Sequence, residues 1–236
     1  MMERLSAEEF DRNYERVSAR LEAALKKSGR DRGEVTLLAA TKTVDPETIN
    51  YAIGKGITLI GENRVQELLA KADHLVPVKQ HFIGHLQTNK VKDVIDKVEM
   101  IESVGSLKLA EEIEKQAARR ERTMDILLEV NIGGEESKSG FAPDALFEAF
   151  ETVKKLPHLR VCGLMAIPPI TPTPEDARKY FRKMYQLFID MRGKNIDNGN
   201  ISVLSMGMSG DFEIAIEEGA TLVRVGTSLF GKRLYQ

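Results

Sequence analysis

The stretch that decides the fold is Ile126-Leu127-Leu128-Glu129-Val130, an apolar run with a single carboxylate in it. A strand with one face in water alternates apolar and polar residues, whereas a strand buried on both faces is apolar throughout. The run therefore predicts a strand in a parallel sheet that helices cover on both sides.

Comparable apolar runs recur along the chain, with helical patterns between them. We place eight candidate strands at about 35–42, 57–61, 80–84, 99–103, 125–131, 160–166, 201–206 and 222–226. Strands that alternate with helices over 236 residues indicate the α/β class. The predicted fold is a (β/α)8 TIM barrel, and an open doubly wound sheet is the alternative.

Capping residues set the predicted helix boundaries. Ser6 and Glu9 have the capping-box spacing and Gly29 ends the apolar stripe, so a helix is expected over about 6–28. Further helices are expected from Asp45-Pro46-Glu47 and at about 63–73, 106–121, 143–155, 173–191 and 210–219. We expect a single domain over 1–236, with the N-terminal helix followed by a barrel over about 35–231.

The composition indicates a soluble protein of balanced charge. The chain has 34 Lys and Arg against 36 Asp and Glu, which predicts no nucleic-acid partner and no membrane partner. Cys162 is the single cysteine, so no intrachain disulfide can form. The N-terminus lacks a signal-peptide pattern, and no run approaches the about 18 apolar residues of a membrane helix. We expect a cytoplasmic protein.

Lys42 ends the first apolar run, Val35-Thr36-Leu37-Leu38-Ala39-Ala40-Thr41-Lys42. An ammonium at the tip of a buried strand is costly unless it is solvated, paired or deprotonated. Two turns rich in Gly, Ser and Thr follow the last two strands: Ser205-Met206-Gly207-Met208-Ser209 and Arg224-Val225-Gly226-Thr227-Ser228. Barrels commonly hold phosphate at these two tips. An amine beside a phosphate site suggests pyridoxal 5′-phosphate (PLP), which lysine binds as a Schiff base.

The two turns offer donors to an anion. Ser209 is expected to cap the helix from 210, whose N-terminus attracts negative charge. Arg224 lies two residues before Gly226, so both share one face of the strand and Arg224 enters the barrel mouth.

Six motifs resemble, in the same order, those of the pyridoxal phosphate homeostasis protein family. They are Ala40-Thr41-Lys42, Gly61-Glu62-Asn63-Arg64, His81-Phe82-Ile83-Gly84-His85-Leu86-Gln87, Gly163-Leu164-Met165, Leu204-Ser205-Met206-Gly207-Met208-Ser209 and Arg224-Val225-Gly226-Thr227-Ser228-Leu229-Phe230-Gly231. The resemblance runs from about residue 5 to the C-terminus. It implies a barrel like the N-terminal domain of alanine racemase and of fold-type III decarboxylases.

The resemblance also implies the site residues. Lys42 is the PLP lysine, Asn63 lies near the ring, and Arg224 faces the ring nitrogen and keeps it unprotonated. The residues implied around the phosphate are Ser205, Met206, Ser209, Gly226 and Thr227. No catalytic residue and no metal ligand is assigned. The implied function is PLP homeostasis without robust catalysis, with PLP-dependent apoenzymes as recipients and a monomeric or weakly dimeric state.

Two enzymatic alternatives stay open. One is a PLP-dependent amino-acid racemase, although racemases of this fold take a tyrosine from a second, β-rich domain across a dimer interface. We expect no such domain here, and Tyr235 is the only tyrosine near the end of the chain. The other is a barrel enzyme in which Lys42 forms a Schiff base with a phosphorylated metabolite.

Two further features are expected to be structural. His81 and His85 flank a strand end and lack a third ligand nearby, so we assign them no metal. The loop 131–141 matches the family, and Lys138 in it could cover the pocket or accept PLP in transfer. A solvated loop is the simpler interpretation.

Overall fold

The computed structural model describes residues 5–135, 138–194 and 201–231 and contains a closed barrel of eight parallel strands, each paired with the next. The strands are β1 (Thr36–Ala40), β2 (Leu59–Glu62), β3 (Lys79–Phe82), β4 (Met100–Val104), β5 (Met124–Glu129), β6 (Leu159–Met165), β7 (Val203–Met208) and β8 (Leu222–Val225). Pairing of β1 with β8 closes the barrel. The predicted (β/α)8 barrel is confirmed. The alternative, an open doubly wound sheet, is wrong, because an open sheet has two edge strands that are each paired on one side only.

Helices surround the barrel. They are α1 (Ala7–Ser28), α2 (Pro46–Gly54), α3 (Val65–Ala72), α4 (Val91–Val94), α5 (Leu107–Ala118), α6 (Leu146–Val153), α7 (Arg178–Gly193), α8 (Phe212–Glu217) and α9 (Thr227–Phe230). The sequence did not predict α4 and α9, because four residues are too few to show a helical period. Within the described ranges, no helix has the length and apolar character needed to cross a membrane.

The N-terminal helix begins and ends as its capping residues predict. The Ser6 hydroxyl accepts the Glu9 N–H at 3.2 Å, and the Glu9 carboxylate accepts the Ser6 N–H at 3.0 Å. Gly29 ends α1 with a φ of +67°, a left-handed conformation that glycine adopts without steric cost.

Helix α1 packs against the two short helices that follow β7 and β8. Arg20 forms a bidentate ion pair with Glu213 of α8 at 2.5 and 2.8 Å. Asn13 donates to the carbonyl oxygen of Leu229 in α9 at 3.0 Å. The Phe10 ring lies 5.7 Å from the Phe230 ring. Because α8 and α9 follow the two Gly/Ser/Thr segments, these contacts of α1 stabilise the region where the sequence predicts the phosphate.

Alternation along the strands separates an apolar outer layer from a partly polar barrel interior. In β8, Val223 and Val225 belong to the large core between barrel and helices. Leu222 belongs to a smaller cluster with Leu38 and Leu59, and Arg224 shares its face of the strand. Arg224 therefore points into the barrel.

Candidate binding site at the C-terminal ends of the strands

Lys42 lies in the turn that follows β1, and its side chain is half-buried. The register pairs Ala40 of β1 with Gly61 of β2. Lys42 and Asn63 follow the ends of β1 and β2, which are neighbouring strands of the barrel. The residues predicted for the amine and for the ring therefore both lie at the C-terminal ends of adjacent strands.

The turns after β7 and β8 are hydrogen-bonded to each other. The hydroxyl oxygen of Ser209 accepts the backbone N–H groups of Gly226 and Ser228, both at 3.2 Å. The Ser228 hydroxyl donates in return to the Ser209 carbonyl oxygen at 3.3 Å. Thr227 lies between these donors and is exposed. Ser209, Gly226 and Thr227, which the sequence assigns to one anion site, are therefore neighbours.

The expected helix cap at Ser209 is wrong. Helix α8 begins at Phe212, and Asp211 is its N-cap residue. The Asp211 carboxylate accepts the Met208 N–H at 2.6 Å, and burial raises the pKa of this carboxyl group. Ser209 uses its hydroxyl to bind the β8 turn instead, an arrangement that local capping patterns do not reveal.

Glycine is required near the end of β7, which extends to Met208 and so includes most of the segment that the sequence predicts as a turn. Gly207 has a φ of +89°, a region that L side chains rarely adopt. A Cβ there would lie 2.5 Å from the Ala215 methyl group and 3.0 Å from the Phe212 Cα atom. The backbone can therefore approach α8 this closely only with glycine at position 207.

Ser205 and Met206 occupy different surroundings from Ser209. Ser205 is fully buried in the barrel interior, where its hydroxyl donates to Glu102 at 2.5 Å and accepts from Arg224 at 2.5 Å. The next residue, Met206, faces the opposite side and packs in the outer core. The structure does not bring these two side chains together with Ser209.

A buried polar network surrounds Arg224. Its guanidinium also donates to the Ala166 carbonyl oxygen at 3.0 Å and lies 3.9 Å from the Glu102 carboxylate. The other oxygen of Glu102 lies 2.7 Å from His81 Nδ1. Burial lowers the pKa of Arg224, and the nearby carboxylates oppose this effect. The sequence allows Glu62 or Glu102 as an ion-pair partner of Arg224, and the structure places Glu102 there. Sequence analysis missed His81 as part of this network, because β3 meets Arg224 only across the closed barrel.

A cavity of about 630 Å³ opens beside Asn63. Its lining comprises Asn63, Ile83, Gly84, His85, Glu129, Val130, Asn131, Lys138, Ser139 and Ile167. Glu129 is buried and accepts a hydrogen bond from Ser139 at 3.0 Å, and burial raises its pKa. The side-chain oxygen of Asn63 is buried without a hydrogen-bond partner among the described residues. An unpaired buried amide oxygen is costly, so it marks a position where a ligand would satisfy it.

The expectations for the two histidines and the loop are resolved in part. His81 pairs with Glu102, whereas His85 is exposed and lines the cavity. The part of the chain that the structure describes holds no group of three or more potential metal ligands. In the 131–141 loop, Asn131 donates to the Glu135 carbonyl oxygen at 2.8 Å, and Lys138 pairs with Glu135 at 2.5 Å. Glu136 and Ser137 lie outside the described residues.

Gly84, which follows β3, lets the backbone pass close to the backbone of Asn63. We predict that Gly84→Ala destabilises the protein. Its Cβ would lie 2.1 Å from the backbone oxygen of Asn63, so the strand tip must shift. Overpacking of this kind lowers the free energy of unfolding by about 1–3 kcal/mol, which urea unfolding measures. Gly54→Ala is the matched control, because a Cβ at this helix end meets no atom within 4 Å. Equal unfolding midpoints for the two variants would contradict the prediction.

Comparisons with known proteins converge on one family. A model described as the N-terminal domain of alanine racemase matches residues 9–233. The pyridoxal phosphate homeostasis protein of Aquifex aeolicus is 48% identical over 222 residues, which cover 93% of this chain and 96% of the relative. The pyridoxal phosphate homeostasis protein of Pseudomonas aeruginosa is 41% identical over 227 residues, covering 94% and 95%.

A solved structure extends the comparison to a ligand. The structure of PipY from Synechococcus elongatus with PLP bound matches this chain with a TM-score of 0.78 and 30% sequence identity. The match covers 91% of this chain and 100% of PipY.

Proposed function

Since the chain belongs to the pyridoxal phosphate homeostasis protein family, we propose that it binds PLP as a Schiff base on Lys42 and serves in PLP homeostasis. The observation that carries the proposal is the convergence of three elements at one end of the barrel. Lys42 supplies an amine after β1, Asn63 supplies an unpaired amide oxygen after β2, and the segments that follow β7 and β8 supply the Ser209 hydroxyl and the Thr227 N–H group.

Each of these elements suits one part of PLP. The Lys42 amine would hold the aldehyde carbon of PLP through a C=N bond, whose formation releases one water molecule. The Ser209 hydroxyl proton and the Thr227 N–H group suit a phosphate, because charge-assisted hydrogen bonds to an anion are strong. The Gly226 N–H donates to the Ser209 oxygen and so holds that hydroxyl in place. The side chains of Ser205 and Met206 do not contact the phosphate in this arrangement. Ser205 instead binds Arg224, and Met206 contributes its backbone only.

We propose that Arg224 limits what the site does with bound PLP. When bound, PLP supplies a conjugated ring that withdraws electrons from carbon atoms attached to its imine. Arginine stays cationic, so its guanidinium beside the ring nitrogen disfavours protonation of that nitrogen and weakens the electron withdrawal. Ser205 and Ala166 hold the guanidinium through hydrogen bonds of 2.5 and 3.0 Å. The arrangement favours retention of PLP over turnover.

The positions of the tyrosines in the described part of the chain also support a binding protein without robust catalysis. Tyr14 and Tyr51 pack around Phe10 of α1, and Tyr180 and Tyr185 lie on α7, outside the barrel. Tyr235 lies outside the described residues. Steady α-proton exchange of amino acids that is lost in Lys42→Ala would contradict this part of the proposal and favour a racemase.

The proposal extends to compartment, partners and assembly. We propose a cytoplasmic protein that is a monomer or a weak dimer and supplies PLP to PLP-dependent apoenzymes. Reactivation of a PLP-free enzyme by the loaded protein, faster than by its measured release of free PLP, is the expected result. Reactivation only at the release rate would contradict direct supply.

The double variant Ser209→Ala/Thr227→Ala is expected to weaken PLP retention much more than pyridoxal retention, because pyridoxal lacks the phosphate. Hydrogen bonds to charged groups contribute about 1.5–3 kcal/mol, so PLP retention should fall at least about tenfold. Dialysis of each loaded protein, followed by absorbance of the retained ligand, measures the difference.

Ser28→Ala/Thr152→Ala is the matched control for this variant. These two hydroxyls donate to helix carbonyl oxygens at 2.8 and 3.1 Å, away from the strand tips. The control should retain both ligands as the unchanged protein does. An equal loss of PLP and pyridoxal in the Ser209 and Thr227 variant would contradict the phosphate assignment.

A further inference from the structure

Helix α3 carries an ion pair that contacts the backbone on both sides of Lys42. The Lys71 ammonium donates to the carbonyl oxygen of Thr41 at 2.9 Å. The Glu67 carboxylate accepts the N–H of Thr43 at 2.6 Å. Lys71 and Glu67 are themselves paired at 3.1 Å. One helix thus fixes the residue before Lys42 and the residue after it.

The pair is part of a buried cluster. Lys71 is 7% exposed, and its ammonium also donates to the fully buried Glu62 at 2.7 Å. The Thr41 hydroxyl donates to the same oxygen of Glu62 at 2.8 Å. Well-packed apolar residues stabilise a core as well as a buried ion pair does, so stability alone gives no reason for charge here.

The backbone that the pair holds is strained. Thr43 has a φ of +66°, a conformation that is rare for non-glycine residues and an outlier for a β-branched one. Such a conformation costs about 1–3 kcal/mol and persists only where its surroundings impose it. The short hydrogen bond from the Thr43 N–H to Glu67 supplies that constraint. Burial alone raises the pKa of Glu67, but the bonds from Thr43 and Lys71 outweigh burial and lower it.

We propose that Glu67 and Lys71 are positioning residues for Lys42. They hold the Thr41–Thr43 segment in the strained turn from which the Lys42 amine meets the aldehyde of PLP. The inference rests on the proposed Schiff base at Lys42 and adds to it the part of the chain that prepares the amine.

Three variants of Glu67 distinguish the effect of its hydrogen bond to the Thr43 N–H from the effect of its negative charge. Glu67→Asp keeps the charge beside Lys71 but shortens the side chain by one methylene, so it loses the Thr43 N–H. Glu67→Gln loses the charge but keeps an oxygen at the same reach. Glu67→Ala loses both. If the hydrogen bond to Thr43 positions Lys42, the Asp and Ala variants form the Schiff base equally slowly, and the Gln variant forms it as the unchanged protein does.

The test measures the rate of Schiff-base formation after PLP is mixed with each free protein. We expect Glu67→Ala and Glu67→Asp to be slower by at least about tenfold, the value of one lost charge-assisted hydrogen bond. Glu67→Gln should stay within about threefold of the unchanged protein. Glu112→Ala is the matched control, because Glu112 is a helix carboxylate of similar side-chain exposure, 24% against 20%, paired with Lys115 on α5.

Hydrogen exchange at the Thr43 amide of the free protein is the second readout, and it requires no cofactor. Faster exchange in the Asp and Ala variants, with protection kept in Glu67→Gln, is the expected result. Unchanged Schiff-base rates and unchanged exchange in Glu67→Asp would overturn the inference. A failure of the unchanged protein to form any Schiff base would instead count against the proposed function, and the exchange result would still test the hold on Thr43.

Discussion

Replacing Lys42 with alanine is expected to abolish the Schiff-base absorbance of the PLP-loaded protein. The neighbouring amine cannot substitute for it: the three N–H groups of Lys71 already donate to Thr41, Glu62 and Glu67, at 2.9, 2.7 and 3.1 Å. Lys71 is 7% exposed and is held by these three acceptors, so it is not available to the aldehyde of PLP. The loss should therefore be complete rather than partial.

The measurement compares near-ultraviolet and visible spectra of proteins loaded with PLP and freed of excess ligand. Lys55→Ala is the matched control, since Lys55 is a surface lysine paired with Asp11 at 2.7 Å. It should keep the full imine band. A band of unchanged intensity in Lys42→Ala would show that another amine carries the cofactor.

Replacing Arg224 with methionine is expected to cause the largest loss of stability among the changes considered. Arg224 is 4% exposed and faces Glu102, which is fully buried. Removing one partner of a buried pair leaves the other charge uncompensated, at a cost of about 3–5 kcal/mol. Methionine is the better test than glutamate, because glutamate would add a second buried carboxylate beside Glu102.

The expected loss depends on burial, and a surface pair provides the control. Arg160 binds Asp125 through two bonds of 2.6 and 2.7 Å, but its side chain is 55% exposed. Arg160→Met should therefore cost at most about 1 kcal/mol. Urea unfolding of the free proteins measures both values. A similar loss for the two arginines would contradict the account of the interior network.

A double-mutant cycle assigns the Arg224 effect to Glu102. Adding Glu102→Gln to Arg224→Met removes the uncompensated charge, so part of the lost stability should return.

With PLP bound, Arg224→Met should alter the absorbance spectrum while the Schiff base on Lys42 persists. A spectrum and protonation profile identical to those of the unchanged protein would contradict a position of Arg224 at the ring nitrogen.

The barrel could be predicted from the sequence because its signals are local. Buried parallel strands carry continuous apolar runs, and helix ends carry capping residues such as Ser6 and Asp45. The two-residue spacing of Arg224 and Gly226 also indicated that Arg224 enters the barrel. These patterns span a few residues and need no knowledge of distant parts of the chain.

The hydrogen-bond partners at the site could not be predicted, because they come from strands and helices far apart in sequence. Ser209 has the local features of a helix cap, yet it binds the β8 turn, 17 residues farther along the chain. Lys71 reaches back 30 residues to Thr41, and Ser205 reaches Glu102 across 103 residues. The first two contacts arise where neighbouring strand–helix units pack together, and the third crosses the interior of the barrel.

Reduction of the PLP-loaded protein with borohydride, followed by peptide mapping with mass spectrometry, tests the central claim most directly. Reduction converts the imine into a stable secondary amine, so the cofactor's mass stays on the lysine that bound it. The account predicts one modified lysine per chain, at Lys42. Modification of a different lysine, or no modification after incubation with PLP, would contradict it.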